Sequence, residues 1–390
     1  MAAPHMIPVA KPWLGEAEAA AASRVIQSGW VTQGPEVLAF EREFAAYVGA
    51  PHACAVSNCT TALHLALLAA GTGPGDEVIV PTHSFIATAN AVRHCGAVPV
   101  FVDVRPGDVN LDPALLPAAV TPKTKAILAV HQIGQPCDLQ AILAFARPRG
   151  LPVIEDAACA IGSEIEREGR WEKIGRPHAD AACFSFHPRK LVTTGDGGMI
   201  TTAKPDWDRK FRLWRQHGMS VPDSVRHGAA QVVFEDYVEV GYNYRLTDVQ
   251  AAMGREQLKR LPAMVARRRE QAVRYAELLA GIPGLGVPRE PAGARWNSQS
   301  YAVTLPAGAD QRKVMQTLLD AGAATRRGVM CAHREPAYAG VPWRVAPGQA
   351  LRRSEEARDR MIILPLYYDL GAEAQRAVAR ALSLALTAAR

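Results

Sequence analysis

Lys190 lies in the stretch Phe184-Ser185-Phe186-His187-Pro188-Arg189-Lys190-Leu191-Val192-Thr193-Thr194-Gly195-Asp196-Gly197-Gly198-Met199. An aromatic-rich run ends near Ser185, a turn containing Pro188 leads to the lysine, and a glycine-rich loop follows. Glycine lets backbone approach a ligand closely. A lysine partly withdrawn from water in such a place has a lowered pKa and can form a Schiff base with a carbonyl. A solvated surface charge is the competing reading of the same residue.

Two further segments carry groups of the right chemistry. Glu155-Asp156 closes the apolar run Leu151-Pro152-Val153-Ile154. A carboxylate there could hold a protonated heterocyclic nitrogen, bind a metal or cap the next helix. Ser57-Asn58-Cys59-Thr60-Thr61 follows another apolar run and opens a helical pattern. The free N–H groups and positive dipole end of a helix start suit an anion. Simple capping by Asn58 or Thr60 accounts for the same residues.

These groups need elements to position them. Short apolar runs occur at Ala53–Val56, Glu77–Pro81, Val98–Val102, Ala126–Val130, Leu151–Glu155, Ala181–Phe186 and Met199–Thr202. Several are almost continuously hydrophobic, as strands buried on both faces of a mainly parallel sheet require. Helical patterns at Thr60–Ala70, Ile86–His94 and Leu139–Ala146 alternate with them, so the pattern predicts an α/β layered fold with right-handed crossovers. In such sheets ligands sit outside the carboxyl ends of the strands. After Thr247 the pattern turns to long helices, Thr247–Leu261 and, beyond a break at Pro262, Ala263–Ala280. A strand at Ser300–Leu305 and helices at Gln311–Ala321 and Ala372–Ala388 follow. The reading is a large domain over residues 1–260 and a smaller C-terminal α/β domain over 261–390. A separate helix at Ala17–Ser28 leads into Gly29-Trp30-Val31-Thr32-Gln33-Gly34.

Composition narrows the classes. With 390 residues, 48% hydrophobic and 21% charged, the chain reads as globular. No apolar run approaches the ~20 residues of a membrane span. The formal charge of +6 comes from dispersed basic residues. The run Arg267-Arg268-Arg269 sits in a helical pattern and reads as a solvated face, so neither nucleic acid nor membrane is expected as a partner. Cys54, Cys59, Cys95, Cys137, Cys159, Cys183 and Cys331 are scattered singly, without metal-ligand spacing, and read as reduced thiols. Met1–Met6 lacks a basic region followed by an apolar stretch. A cytoplasmic protein without a bound metal is expected.

Taken together, the motifs resemble the DegT/DnrJ/EryC1/StrS family of fold-type-I aminotransferases dependent on pyridoxal 5′-phosphate (PLP). The resemblance runs through Ser28–Pro35, Ser57–Leu65, Pro81–Val92, Val130–Asp138, Ile154–Gly162 and Phe184–Met199. It continues through Gly241-Tyr242-Asn243-Tyr244-Arg245-Leu246-Thr247-Asp248 and Ile363-Leu364-Pro365-Leu366. Each motif is modest alone; their order and spacing are specific.

The resemblance implies a mainly parallel seven-stranded sheet between helices, and a role for each matching residue. Lys190 would hold the cofactor covalently and later move a proton as general acid and base. Asp156 would keep the pyridine nitrogen protonated, so that the ring acts as an electron sink. Phe85 would stack on the ring, and Thr60, Thr61 and Ser185, beside Cys59, would bind the phosphate. Asn243 would reach the phosphate of a neighbouring subunit, which implies a homodimer with shared active sites. Many members carry Gln, His or Glu near the ring's 3′-oxygen, where this chain has Cys159, a poorer hydrogen-bond donor.

The implied reaction moves an amino group from L-glutamate or glutamine to a nucleotide-linked keto-sugar with ping-pong kinetics. The stretch Thr193–Gly198 looks more like members that aminate C4 of 4-keto-6-deoxy sugars. Trp30, Thr32, Gln33, His187 and His333 are candidate sugar contacts, with structural roles as the alternative for both histidines. Within the family, cyclitol aminotransferases and dehydratases compete with this reading. A PLP-binding regulator without turnover is the rival from another class. An NAD-type dehydrogenase lacks its G-x-G-x-x-G after the first strand.

Overall fold

The computed structural model describes residues 6–221 and 230–388; Met1–His5, read above for a signal, lie outside them. All seven apolar runs form strands: β1 (His52–Val56), β2 (Glu77–Pro81), β3 (Val98–Val102), β4 (Thr124–Val130), β5 (Val153–Asp156), β8 (Ala181–Ser185) and β9 (Gly198–Thr202). Between β5 and β8 lies a hairpin that the apolar pattern does not reveal, β6 (Glu164–Arg167) and β7 (Arg170–Lys173).

The seven strands join one sheet in the order β1-β9-β8-β5-β4-β2-β3, and a short eighth, β13 (Arg344–Val345), extends its edge beside β3. The expected seven strands are therefore eight. Two residues, one of them an arginine, give no apolar run to read. Only β9 runs antiparallel to its neighbours, so the fold is α/β with a mainly parallel sheet.

Burial on both faces explains the continuous apolar runs. Along β4, Ala126 and Leu128 pack with Leu63 and Leu67 of α3 (Cys59–Ala69) and Val92 of α4 (Ala87–His94). Their neighbours Ile127 and Ala129 face the other way, onto Ile142 and Leu143, as the period-2 pleat requires. Before and after these come α1 (Glu16–Ser28), α2 (Pro35–Val48), the short α5 (Leu116–Ala119), α6 (Leu139–Ala146) and α7 (Pro205–Trp214).

The expected break at Pro262 does not occur. A single helix, α8, runs from Asp248 to Leu279 with Pro262 inside it. Proline removes one backbone donor from a helix interior. Here Leu258, Leu261, Met264 and Val265 are buried against Phe40 and Phe44 of α2, and that packing outweighs the missing bond. The expected division near residue 260 thus falls inside a continuous helix.

Beyond α8, a three-stranded sheet pairs β14 (Met361–Leu364) with β11 (Tyr301–Thr304) and β12 (Arg326–Arg327). The two-residue β10 (Ala294–Arg295) joins β6. The helices α9 (Gln311–Asp320), α10 (Arg352–Arg360) and α11 (Ala372–Ala388) complete the chain. A separate core forms here from Tyr275, Leu279, Tyr301, Leu318, Ile362 and Leu382. Among the described residues no helix is long and apolar enough to cross a membrane.

Candidate active site

The carboxyl ends of β1, β2, β4, β5 and β8 share one edge of the sheet, and a cavity of about 450 Å³ opens there. It sits where the chain reverses direction across the sheet, between the segments after β2 and β4. Its wall contains Asn58, Cys59, Thr60, Phe85, Asp156, Cys159, Ser185, His187 and Lys190. Four segments far apart in sequence are thereby brought together.

Asp156 ends β5 and is buried. Its Oδ2 accepts the Thr88 hydroxyl at 2.7 Å, and its Oδ1 accepts the Ala158 N–H at 3.2 Å. Thr88 is held in turn by Ser84, Oγ to Oγ1 at 2.7 Å. The carboxylate is therefore aimed by hydroxyls on the segment that carries Phe85, a relation that no motif announced. A threonine three residues past an aromatic and near a helix start is the only trace of it. The Phe85 ring is 53% exposed, a large apolar face turned to the cavity.

Lys190 is half-buried, and its Nζ lies 2.9 Å from the Cys159 Sγ. Burial disfavours the ammonium. Cys159, Cys59 and Asp156 more than offset that, so Lys190 sits above its ordinary value. This corrects the expectation of a lowered pKa, because desolvation is opposed by nearby acids. His187 shifts the other way, below its ordinary value: burial comes first, with the nearby Lys190 and Arg326 cations adding to it.

The helix start is built as a cradle. Asn58 caps α3, its side chain accepting the Thr61 N–H at 2.9 Å while the Thr61 hydroxyl donates to the Asn58 carbonyl at 2.8 Å. The Cys59 and Thr60 N–H groups take part in no hydrogen bond among the described residues. Gly198 of β9 allows this placement: a Cβ there would meet the Asn58 carbonyl atoms at 2.5 Å. Thr61 borders a second, smaller cavity with Thr60, His64 and Tyr244. Capping and anion binding, alternatives in sequence, thus coexist at one turn.

Other candidates lie elsewhere. His333 does not line the cavity; its ring nitrogens are taken by the Thr82 hydroxyl at 2.7 Å and Glu355 at 3.0 Å. Trp30 donates its indole N–H to the Gln33 carbonyl, and Gln33 contacts the Gln216 side chain. Thr32 accepts the Asp248 N–H. Together they form a surface loop pinned to the start of α8, away from this cavity. Asn243 is exposed and bridges Gln216. Sequence reasoning missed Thr88, Gln299 and the cavity-facing Arg189 and Arg326. Among the described residues no cluster of His, Cys, Asp or Glu is arranged to hold a metal.

The donor set suits a flat heteroaromatic group with three handles. A buried carboxylate meets a ring cation, an amine meets a carbonyl carbon, and a helix start with hydroxyls meets a phosphate. The exposed phenylalanine offers a stacking face.

Comparisons with known proteins agree with this chemistry. The sequence model of the DegT/DnrJ/EryC1/StrS aminotransferase family matches residues 12–383. The spore coat polysaccharide biosynthesis protein SpsC of Bacillus subtilis (strain 168) is 45% identical over 284 residues, 73% of this chain and 72% of that protein. The aminotransferase TlmJ from Streptoalloteichus hindustanus is 34% identical with a TM-score of 0.88, covering 98% of this chain and 99% of the other. DesI, solved in the presence of its TDP-sugar product, is 31% identical with a TM-score of 0.86, over 99% and 95% of the two chains.

Proposed function

The chain belongs to the DegT/DnrJ/EryC1/StrS family and is a PLP-dependent aminotransferase; on that premise we propose that it transfers an amino group from L-glutamate or glutamine to a nucleotide-linked keto-sugar, at C4 of a 4-keto-6-deoxy sugar. The observation that carries the reading is the placing of the Lys190 amine and the Asp156 carboxylate on the wall of one cavity, beside the α3 helix start. That DesI was solved with a TDP-sugar product supports the substrate class. So do Arg189 and Arg326, which line the cavity without an acidic partner among the described residues and suit an anionic substrate.

When bound, PLP supplies a ring that stabilises negative charge on the carbon bearing the transferred nitrogen. Asp156 would hold the ring nitrogen, with Thr88 fixing the carboxylate's direction. Thr60, Thr61 and Ser185, with the N–H groups at Cys59 and Thr60, would hold the phosphate, and Phe85 would offer a stacking face. Lys190 would anchor the cofactor covalently and, once freed by an incoming amine, would move a proton as general acid and base. Cys159, 2.9 Å from Nζ, receives the lysine amine when it is free.

The protein acts as a homodimer in this reading. Val232, Phe234 and Val240 are 84%, 89% and 90% exposed, a row of apolar side chains that a second copy would cover. Asn243, in the same stretch, then reaches the partner's phosphate site, and the Trp30–Gln33 loop borders the partner's substrate. Seven free thiols support a reducing, cytoplasmic setting.

The test is spectroscopic. The pure protein should show a visible absorbance band that bleaches with glutamate and returns with one member of a panel of nucleotide-linked keto-sugars. Nitrogen-15 from glutamate should appear in the sugar. A band that bleaches but is restored only by a cyclitol ketone would favour the cyclitol aminotransferase alternative. Water loss from the sugar would indicate a dehydratase, and binding without turnover a regulator.

A further inference from the structure

The short segment between β10 and β11 belongs to no motif, yet it grips both halves of the site. Gln299, buried, donates Nε2 to the Arg189 carbonyl at 2.6 Å, and its Oε1 accepts the Leu191 N–H at 3.0 Å. One side-chain amide thus spans the two peptide groups that flank Lys190. Two residues earlier, the fully buried Asn297 donates Nδ2 to the Cys159 carbonyl at 2.8 Å and the Ile161 carbonyl at 2.9 Å. The two amides are themselves tied, Gln299 N–H to Asn297 Oδ1 at 2.9 Å.

The surroundings fix this arrangement. Ser298, between them, has φ +53°, a conformation that non-glycine residues keep only where neighbours over-determine it. Asn297 N–H donates to Ser163 Oγ at 3.1 Å, and that hydroxyl donates to the Gly134 carbonyl at 2.6 Å. Gly134 has φ +95°, and a Cβ there would lie 2.3 Å from Asn297 Oδ1 and 2.7 Å from the Cys159 carbonyl. Trp296 adds an indole bond to the Ile133 carbonyl at 3.1 Å.

We propose that Asn297 and Gln299 are positioning residues that hold the Cys159 and Lys190 backbones in register, and so set the contact between the lysine nitrogen and the sulfur. This rests on the reading of Lys190 as the cofactor lysine. Both residues are neutral amides. The charged or titratable groups that face Lys190 include Asp156 at the end of β5 and Cys159 beyond it, Cys59 at the start of α3 and His187 in its own loop. Removing Gln299 takes no charge from the site, so any effect on the lysine nitrogen must pass through geometry.

The test uses the full-length holoenzyme as wild type, Gln299→Met, Cys159→Ala and the double variant. The visible band of the Lys190-bound cofactor is titrated with pH, and thermal unfolding is followed in parallel. The expected result is a midpoint lowered by roughly one pH unit in Cys159→Ala, as for loss of a hydrogen-bond acceptor that favours the protonated nitrogen. A similar drop is expected in Gln299→Met, with no further drop when the two are combined, the signature of one shared contact. An unmoved midpoint with a lower Tm would make Gln299 a purely structural residue and overturn the proposal, as would two additive shifts. Gln299→Ser, whose space water can refill, replaces the methionine variant if that does not fold. A wild type without any visible band overturns the assignment of Lys190 itself.

Discussion

The Nζ of Lys190 lies 2.9 Å from the Sγ of Cys159. The lysine is thereby held above its ordinary pKa against the effect of burial. In the cofactor-free protein, where this amine is free, its titration should move to lower pH in Cys159→Ala. A raised pKa in the folded chain contributes stability that is present below the ordinary lysine value and lost as pH rises through the folded one. The variant should therefore be less stable than wild type at pH 7, with the gap closing in strong alkali. Lysine-directed chemical labelling and thermal melts of the cofactor-free protein from pH 6 to 11 check both.

Thr88→Val keeps shape and removes the hydroxyl that donates to Asp156 Oδ2 at 2.7 Å. A hydrogen bond to a charged group contributes about 1.5–3 kcal/mol. Cofactor affinity, measured by equilibrium dialysis, should fall roughly 10–100-fold. An unchanged affinity would mean that Asp156 needs no aiming.

Thr88 also shows where sequence stops being informative. The strands were legible because a sheet buried on both faces demands continuous apolar runs. Lys190, Asp156 and the α3 start were legible because their neighbours follow strand ends. Thr88, Asn297 and Gln299 carry no such mark, since their roles come from backbone and side-chain atoms tens to more than a hundred residues away. The break expected at Pro262 fails for a related reason: propensity is local, and the packing of α8 on Phe40 and Phe44 is not. His333 had two readings in the sequence, sugar contact or structural residue; its ring nitrogens meet Thr82 and Glu355.

His83 is fully buried, and among the described residues neither ring nitrogen has a hydrogen-bond partner. Burial lowers its pKa to about 4. The unfolded chain then binds the proton more readily, so stability is full above the ordinary value of 6.5 and is lost as pH falls from there to about 4. The loss is roughly 3 kcal/mol for this one group. Denaturant titrations at pH 7 and pH 4.5 should show a smaller drop in His83→Phe than in wild type. Equal drops would assign the acid sensitivity to other groups.

Phe234 and Val240 are 89% and 90% exposed. If a second copy covers them, Phe234→Lys combined with Val240→Lys should convert a dimer to a monomer in sedimentation velocity. Activity should fall with the dimer, because Asn243 would no longer reach the partner. Wild type sedimenting as an active monomer at micromolar concentration would contradict the shared site.

Borohydride reduction of the purified protein, followed by digestion and mass spectrometry of its peptides, tests whether Lys190 holds the cofactor. A pyridoxyl phosphate mass is expected on the peptide containing Lys190 and is absent in Lys190→Ala. The same mass on another lysine, or on none after reconstitution with PLP, would contradict it.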